Sequence, residues 1–218
     1  MRGREKDFLK GVYYKKFHGC LGIRKKTFEC AFSLLQEREK RSYLIIETGV
    51  TRKNLKTSLT TGGASTYLFD SFVNYYGGKV YSIDIDRKAT EAIRAKISNK
   101  TKIICNDSLV ALAGLSRKIK EIDLLYLDSV DLNWLVPKLS SSHILKEFKL
   151  VEHKLKSGCL AMVDDSPKNR KFIPPWIKPF KDKIPFPNGK GMSLISYLRK
   201  NKKFVKVIHE YQVLWKKV

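Results

Sequence analysis

Short apolar runs that break off in carboxylates recur along this chain, separated by stretches with helical spacing. Tyr43-Leu44-Ile45-Ile46 ends in Glu47-Thr48-Gly49, and Lys79-Val80-Tyr81-Ser82-Ile83 ends in Asp84-Ile85-Asp86. Lys102-Ile103-Ile104-Cys105 ends in Asn106-Asp107-Ser108, Ile122 to Leu127 ends in Asp128, and Cys159 to Val163 ends in Asp164-Asp165. Apolar runs this short, bounded by turn residues, read as buried strands. Between them lie helical stretches: one opened by Gly62-Gly63-Ala64-Ser65-Thr66 and closed by Gly77-Gly78, then 88–97, 109–119, 143–156 and 191–200. Phe28, Phe32, Leu34 and Leu35 recur near helical spacing and predict a helical cap over 1–40. Phe204 to Trp215 reads as a strand-like tail, 51–61 as a polar loop, and 167–187 as a Pro-rich loop. Alternation of this kind predicts an α/β fold, with a mostly parallel sheet, right-handed crossovers and helices on both faces.

The length of 218 residues suits one sizeable domain, 1–218, with the cap over 1–40 and the main core over 41–218. No apolar run approaches the ~20 residues of a membrane span, and the charged start lacks the apolar core of a signal peptide. Cys20, Cys30, Cys105 and Cys159 show no Cys-x-x-Cys spacing. Cys105 and Cys159 fall in apolar segments, so buried free thiols in a reducing, cytoplasmic setting are expected. The net charge of +23 comes from 33 Lys and 11 Arg spread along the whole chain. Dedicated phosphate readers lean on Arg, and no zinc finger or RNA-recognition signature is present. A solvated lysine coat fits better than a nucleic-acid interface, although such a charge can steer an anionic partner.

The candidate chemistry lies at the strand ends, which face the ligand crevice in an open parallel sheet. Asp128, Asp164 and Asp165 would converge there, and neighbouring carboxylates repel unless a cation or strong donors stand between them. A hard divalent ion, Mg²⁺ or Mn²⁺, is the simplest occupant. The competing reading is that Asp164-Asp165-Ser166 only opens a turn before Pro167. Asp84, with Asp86 beside it, holds the second-strand position that commonly grips ribose hydroxyls. The first loop has no Gly-x-Gly-x-x-Gly and no Walker lysine, which disfavours nicotinamide, flavin and nucleoside-triphosphate cofactors. An acid before glycine in Glu47-Thr48-Gly49 suits a cofactor with a cationic amine better than one with pyrophosphate. Glu47 and Asp107 can equally be a turn acid or a helix cap. Gly189-Lys190-Gly191 looks like a Gly-rich anion site or a turn, and without a Walker context it reads as a plain turn; Trp134, Phe172, Trp176 and Phe186 read as stacking surfaces or lid packing near the pocket mouth.

The order of these motifs, from Glu47-Thr-Gly49 through Asp84-Ile-Asp86 and Asn106-Asp107-Ser108 to Val163-Asp164-Asp165, resembles class I S-adenosylmethionine (SAM)-dependent methyltransferases over roughly residues 41–200. It looks most like the metal-dependent small-molecule and sugar O-methyltransferase branch. A fainter resemblance is to glycan-synthesis proteins of large DNA viruses, which would place the chain in host cytoplasm. The resemblance implies a Rossmann-like fold with SAM as cofactor. Glu47, Gly49, Ser65, Thr66, Asp84, Asp86, Asp107 and Asp128 would line the cofactor, and Asp128, Asp164 and Asp165 would hold the metal. It implies methyl transfer to a sugar or glycan hydroxyl, for example of a deoxyhexose such as rhamnose, by one domain that can belong to a larger protein. Nucleic acid (an RNA cap or ribose) and a catechol-like small molecule are the alternative acceptors. One departure stands out. Where catechol enzymes carry Lys and some sugar enzymes carry His, three residues past the fourth-strand acid, this chain has Asp131. Asp128, Asp131 and His143 are therefore the candidates for handling the proton.

Overall fold

The computed structural model describes residues 7–51, 64–174, 177–184 and 186–218. Gly62, Gly63, Trp176 and the expected polar loop from residue 52 onward lie outside the described residues. Seven strands form one sheet: β1 (Tyr43–Thr48), β2 (Gly78–Asp84), β3 (Thr101–Cys105), β4 (Leu124–Leu127), β5 (Leu160–Val163), β6 (Phe204–His209) and β7 (Val213–Lys217). Their order across the sheet is β3-β2-β1-β4-β5-β7-β6. The first five pair in parallel, and β7 runs antiparallel to β5 and β6. The tail expected as one strand over 204–215 is thus a hairpin.

β4 (Leu-Leu-Tyr-Leu) and β5 (Leu-Ala-Met-Val) are buried throughout. That explains why they read as unbroken apolar runs: helices cover the sheet on both sides. On one face pack α1 (Lys25–Gln36), α2 (Ser65–Tyr76) and α3 (Arg87–Arg94), and on the other α4 (Ser108–Ser116), α5 (Lys138–Val151) and α6 (Met192–Lys200). α5 begins five residues earlier than its apolar spacing predicts, its first turn being Lys-Leu-Ser-Ser. Cys159 is buried as expected, but Cys105 is exposed, because β3 is the sheet's edge.

The N-terminal segment packs through aromatic rings. α1 buries Phe28, Ala31, Phe32 and Leu35 at helical spacing. Phe32 meets Phe8 at 5.1 Å and Phe72 of α2 at 5.0 Å between ring centroids. At the amino ends of the strands, Asp123 accepts from Arg38 (2.6 Å), Lys40 (2.6 Å) and the Leu44 amide (2.7 Å), which fixes the end of the cap to β1 and β4. The same packing sets Arg24, one residue before α1, at the opposite end of the sheet.

Candidate active site at the carboxyl ends of the strands

β1, β2 and β4 end in register, with Thr48 opposite both Ile83 and Leu127, so the acids that follow meet around one crevice. Gly49 makes the tightest passage. Its φ is +84°, and a Cβ there would stand 2.6 Å from the Asp128 carbonyl oxygen. Only glycine fits such a crossing without strain.

On the β1–β2 side, Glu47 is fully buried. Its Oε2 accepts from Thr66 Oγ1 (2.8 Å) and Ser82 Oγ (2.7 Å). Its Oε1 is equally buried and has no hydrogen-bond partner among the described residues. Burial pushes the carboxyl up to about 7, with the hydroxyls of Ser65, Ser82 and Thr66 opposing the rise. Asp84 is buried and accepts from the amides of Val50 and Asp86, each at 2.9 Å. Each of its oxygens keeps a further lone pair for another donor. Thr66 is committed within the protein, since its hydroxyl also accepts from the Thr51 amide at 3.0 Å. Ser65 opens α2 and is buried.

Two cofactor candidates prove to be helix caps. Asp86 accepts from the Ala89 amide at the start of α3, and Asp107 accepts from the Leu109 and Val110 amides at the start of α4. Capping satisfies amides that the helix itself leaves unpaired.

On the β4–β5 side, Asp128, Asp164 and Asp165 do come together, with cationic side chains among them. Arg24 Nε donates to Asp164 Oδ2 at 2.8 Å, and Arg24 Nη2 to Asp165 Oδ1 at 3.3 Å. Lys190 Nζ donates to Asp128 Oδ1 at 2.6 Å and lies 3.2 Å from Asp165 Oδ2. Tyr126 donates to Asp164 at 3.0 Å, and Tyr211 donates to Asp165. Tyr211 reaches there because antiparallel β7 sets Val213 opposite Val163. Burial alone would raise the Asp165 carboxyl, but Lys190 and Arg24 outweigh it and hold it below its ordinary value. Burial pushes Asp128 up, against the pull of Lys190 and together with its acidic neighbours.

This donor set does not fit a resident divalent ion. Among the described residues, only Glu121, Asp123 and Cys159 bring three ligand-type atoms within 4.8 Å of one another, at the far end of the sheet. Arg38 and Lys40 already serve that group. Asp128, Asp164 and Asp165 do not meet the same condition, and two side chains already bring positive charge to them.

The proton-handling candidates separate. Asp128 keeps a side chain 28% exposed at the crevice. Asp131 is exposed on the loop beyond it. The Nε2 of His143 meets Ser108 Oγ at 2.9 Å and Glu147 Oε1 at 3.4 Å. The contact with Glu147 holds its pKa above the ordinary histidine value. Sequence reasoning missed Arg24, Lys190, Tyr126, Tyr211 and Glu147. The one available signal was the glycine pair around Lys190.

Residues 60–166 match the model of a family described as a methyltransferase domain. A Streptococcus mutans protein assigned as a methyltransferase and solved with SAH superposes with a TM-score of 0.50 at 11% identity, over 88% of this chain and 97% of its own. This chain's seven-stranded, mostly parallel sheet with helices on both faces shares that fold. The fold is that of a methyltransferase. The carbon methyltransferase CurJ also superposes at 0.50, with 12% identity, over 97% of this chain and 58% of its own length. At such identities the likeness speaks for the methyltransferase fold alone, and the acceptor atom must be argued from the site. Comparison with curated proteins returns no match. No helix among the described residues of this methyltransferase fold is long and apolar enough to cross a membrane.

Proposed function

We propose that the chain is a SAM-dependent O-methyltransferase acting on a hydroxyl of a sugar or glycan, such as a deoxyhexose. The observation that carries the cofactor is Glu47: a buried carboxylate at the first strand end with one oxygen unpartnered among the described residues. A buried charge is costly unless it is paired, so this oxygen suits the cationic amine of SAM. Gly49 lets the chain pass close by, and Asp84 retains lone pairs for ribose hydroxyls. Bound SAM would supply a methyl group activated by its sulfonium.

The protein's own work is then alignment and proton removal. Asp128 supports an oxygen acceptor, since it is the most exposed carboxylate of the acidic corner, 28% against 20% for Asp165, and Lys190 fixes its direction at 2.6 Å. General-base help of this kind contributes ~10²–10⁴-fold. Asp131 is the second candidate base. His143, committed to Ser108 and Glu147, is better placed to brace α5 against α4. A groove of about 660 Å³ lined by Leu135, Val136, Pro137, Ser141, Pro187 and Met192 adjoins the loop after β4 and offers an apolar wall to an acceptor.

One observation favours a second reading. Lys168, Arg170 and Lys171 line a neighbouring groove of about 640 Å³, and the Arg170 guanidinium stands 5.4 Å from the Phe186 ring centroid. Basic groups beside an aromatic face suit a nucleic-acid acceptor. Titration with SAM by calorimetry, followed by a mass-spectrometric screen of sugars, catechols and capped RNA for the gain of one methyl group, tests both. Absence of SAM binding overturns the reading, and methylation of RNA alone transfers it to the second acceptor.

A further inference from the structure

The acidic corner contains a lysine that the chain takes unusual measures to place. Lys190 is 3% exposed. Its Nζ meets Asp128 Oδ1 at 2.6 Å, the Asp128 carbonyl at 3.2 Å and Asp165 Oδ2 at 3.2 Å. The first two are hydrogen bonds and the third is an ion-pair contact, so Asp128 takes two of the three protons of the ammonium and Asp165 faces its charge. Burying that charge is unfavourable unless it is paired, yet the backbone around it is shaped to bring it in. Gly189 has φ +112°, and a Cβ there would lie 2.4 Å from the Asp165 carbonyl oxygen. The Lys190 amide donates to that same oxygen at 2.9 Å, and the Gly191 amide donates to Ser166 Oγ at 2.8 Å. Asn188 Nδ2 donates to the Trp134 carbonyl at 2.7 Å. The turn is therefore docked on the segment after β5 and on the loop after β4 together.

We infer that Lys190 is the resident cation of this corner: its ammonium takes the place of a divalent ion between Asp128 and the Asp164-Asp165 pair, and aims the Asp128 carboxylate into the crevice. Arg24 completes the neutralisation from the other side. Lys190 is a positioning residue, acting through Asp128. A divalent ion has open positions that a vicinal diol can chelate. An ammonium only donates hydrogen bonds and has no such coordination positions. Resting on the methyl-transfer reading above, the inference follows that the acceptor is recognised through one hydroxyl at Asp128, without chelation of its neighbour.

The test is binding of Mn²⁺ to the full chain, followed by electron paramagnetic resonance without SAM or acceptor. Wild type takes up no stoichiometric Mn²⁺, whereas Lys190→Ala leaves the Asp128 and Asp165 carboxylates without their ammonium and gains one site, lost again on adding Asp165→Asn. A merely structural lysine would give no such gain. Tight Mn²⁺ binding by wild type that Asp164→Asn abolishes overturns the inference, as does a folded Lys190→Ala that binds none. Should Lys190→Ala fail to fold, Lys190→Met replaces it, and should that fail as well, the wild-type titration decides alone. A failed SAM titration defeats the function and leaves this assignment standing, while Mn²⁺ held by wild type does the reverse.

Discussion

The two halves of the crevice carry acidic side chains at the same kind of position, in opposite electrostatic states. At the end of β1, Glu47 is buried with hydroxyls on one oxygen and no partner among the described residues on the other. At the ends of β4 and β5, Asp128, Asp164 and Asp165 are met by Arg24 and Lys190. The first half is short of a positive charge and suits a ligand that brings one. The second half supplies its own. An acid at a strand end thus indicates where ligands bind, while the cations packed against it decide whether it still needs one.

The largest expected effect breaks the self-sufficient half. Arg24→Ala leaves Asp164, 2% exposed, without its ion pair, and breaking a buried pair costs about 3–5 kcal/mol. Urea denaturation should show that loss, and adding Asp164→Asn should recover part of it. An unchanged midpoint would mean the corner tolerates an unpaired charge and the contrast fails.

Next comes the half that awaits a cation. Glu47→Gln removes a charge-assisted bond worth about 1.5–3 kcal/mol, so SAM affinity should fall roughly ten- to a hundredfold by calorimetry. The pH dependence sharpens this. With the Glu47 carboxyl raised to about 7, the empty protein holds it partly protonated near neutrality. SAM affinity should therefore weaken as pH falls from 8 to 6, and Glu47→Gln should flatten the profile. The sign for stability runs the other way. A carboxyl raised on folding favours the folded state below its unfolded value, and that contribution is lost as pH rises through about 7.

The smallest effect separates caps from ligands. Asp86→Ala should cost about 1 kcal/mol through the lost cap of α3 and leave SAM affinity unchanged. A tenfold loss of SAM binding would return Asp86 to the cofactor.

Some of this was legible in the chain. β4 and β5 announce themselves because a strand covered on both faces must be apolar at every position, and Asp128 and Asp164 follow directly on those runs. Glu47 was legible as an acid that ends a buried run just before a glycine, and the structure buries it there. Asp107 was ambiguous, since a cap and a ligand both want a short acid before a helix. The beginning of α5 was missed because Lys138 to Ser142 carries no apolar period, and its place is fixed by packing against α4 and α6.

The succession of the first five strands along the chain and the acids at their ends follow from local pattern, because burial and turn chemistry act on neighbours in sequence. The partners of those acids do not. Arg24 lies 140 residues from Asp164, and Lys190 lies 62 from Asp128. In a chain with 44 Lys and Arg, nothing local marks Arg24, and the glycines that flank Lys190 suit a plain turn equally well. The cap packing through Phe28 and Phe32 and the close approach at Gly189 made that choice. Pairing of charges is set by distance in space, and only the folded sheet brings these together.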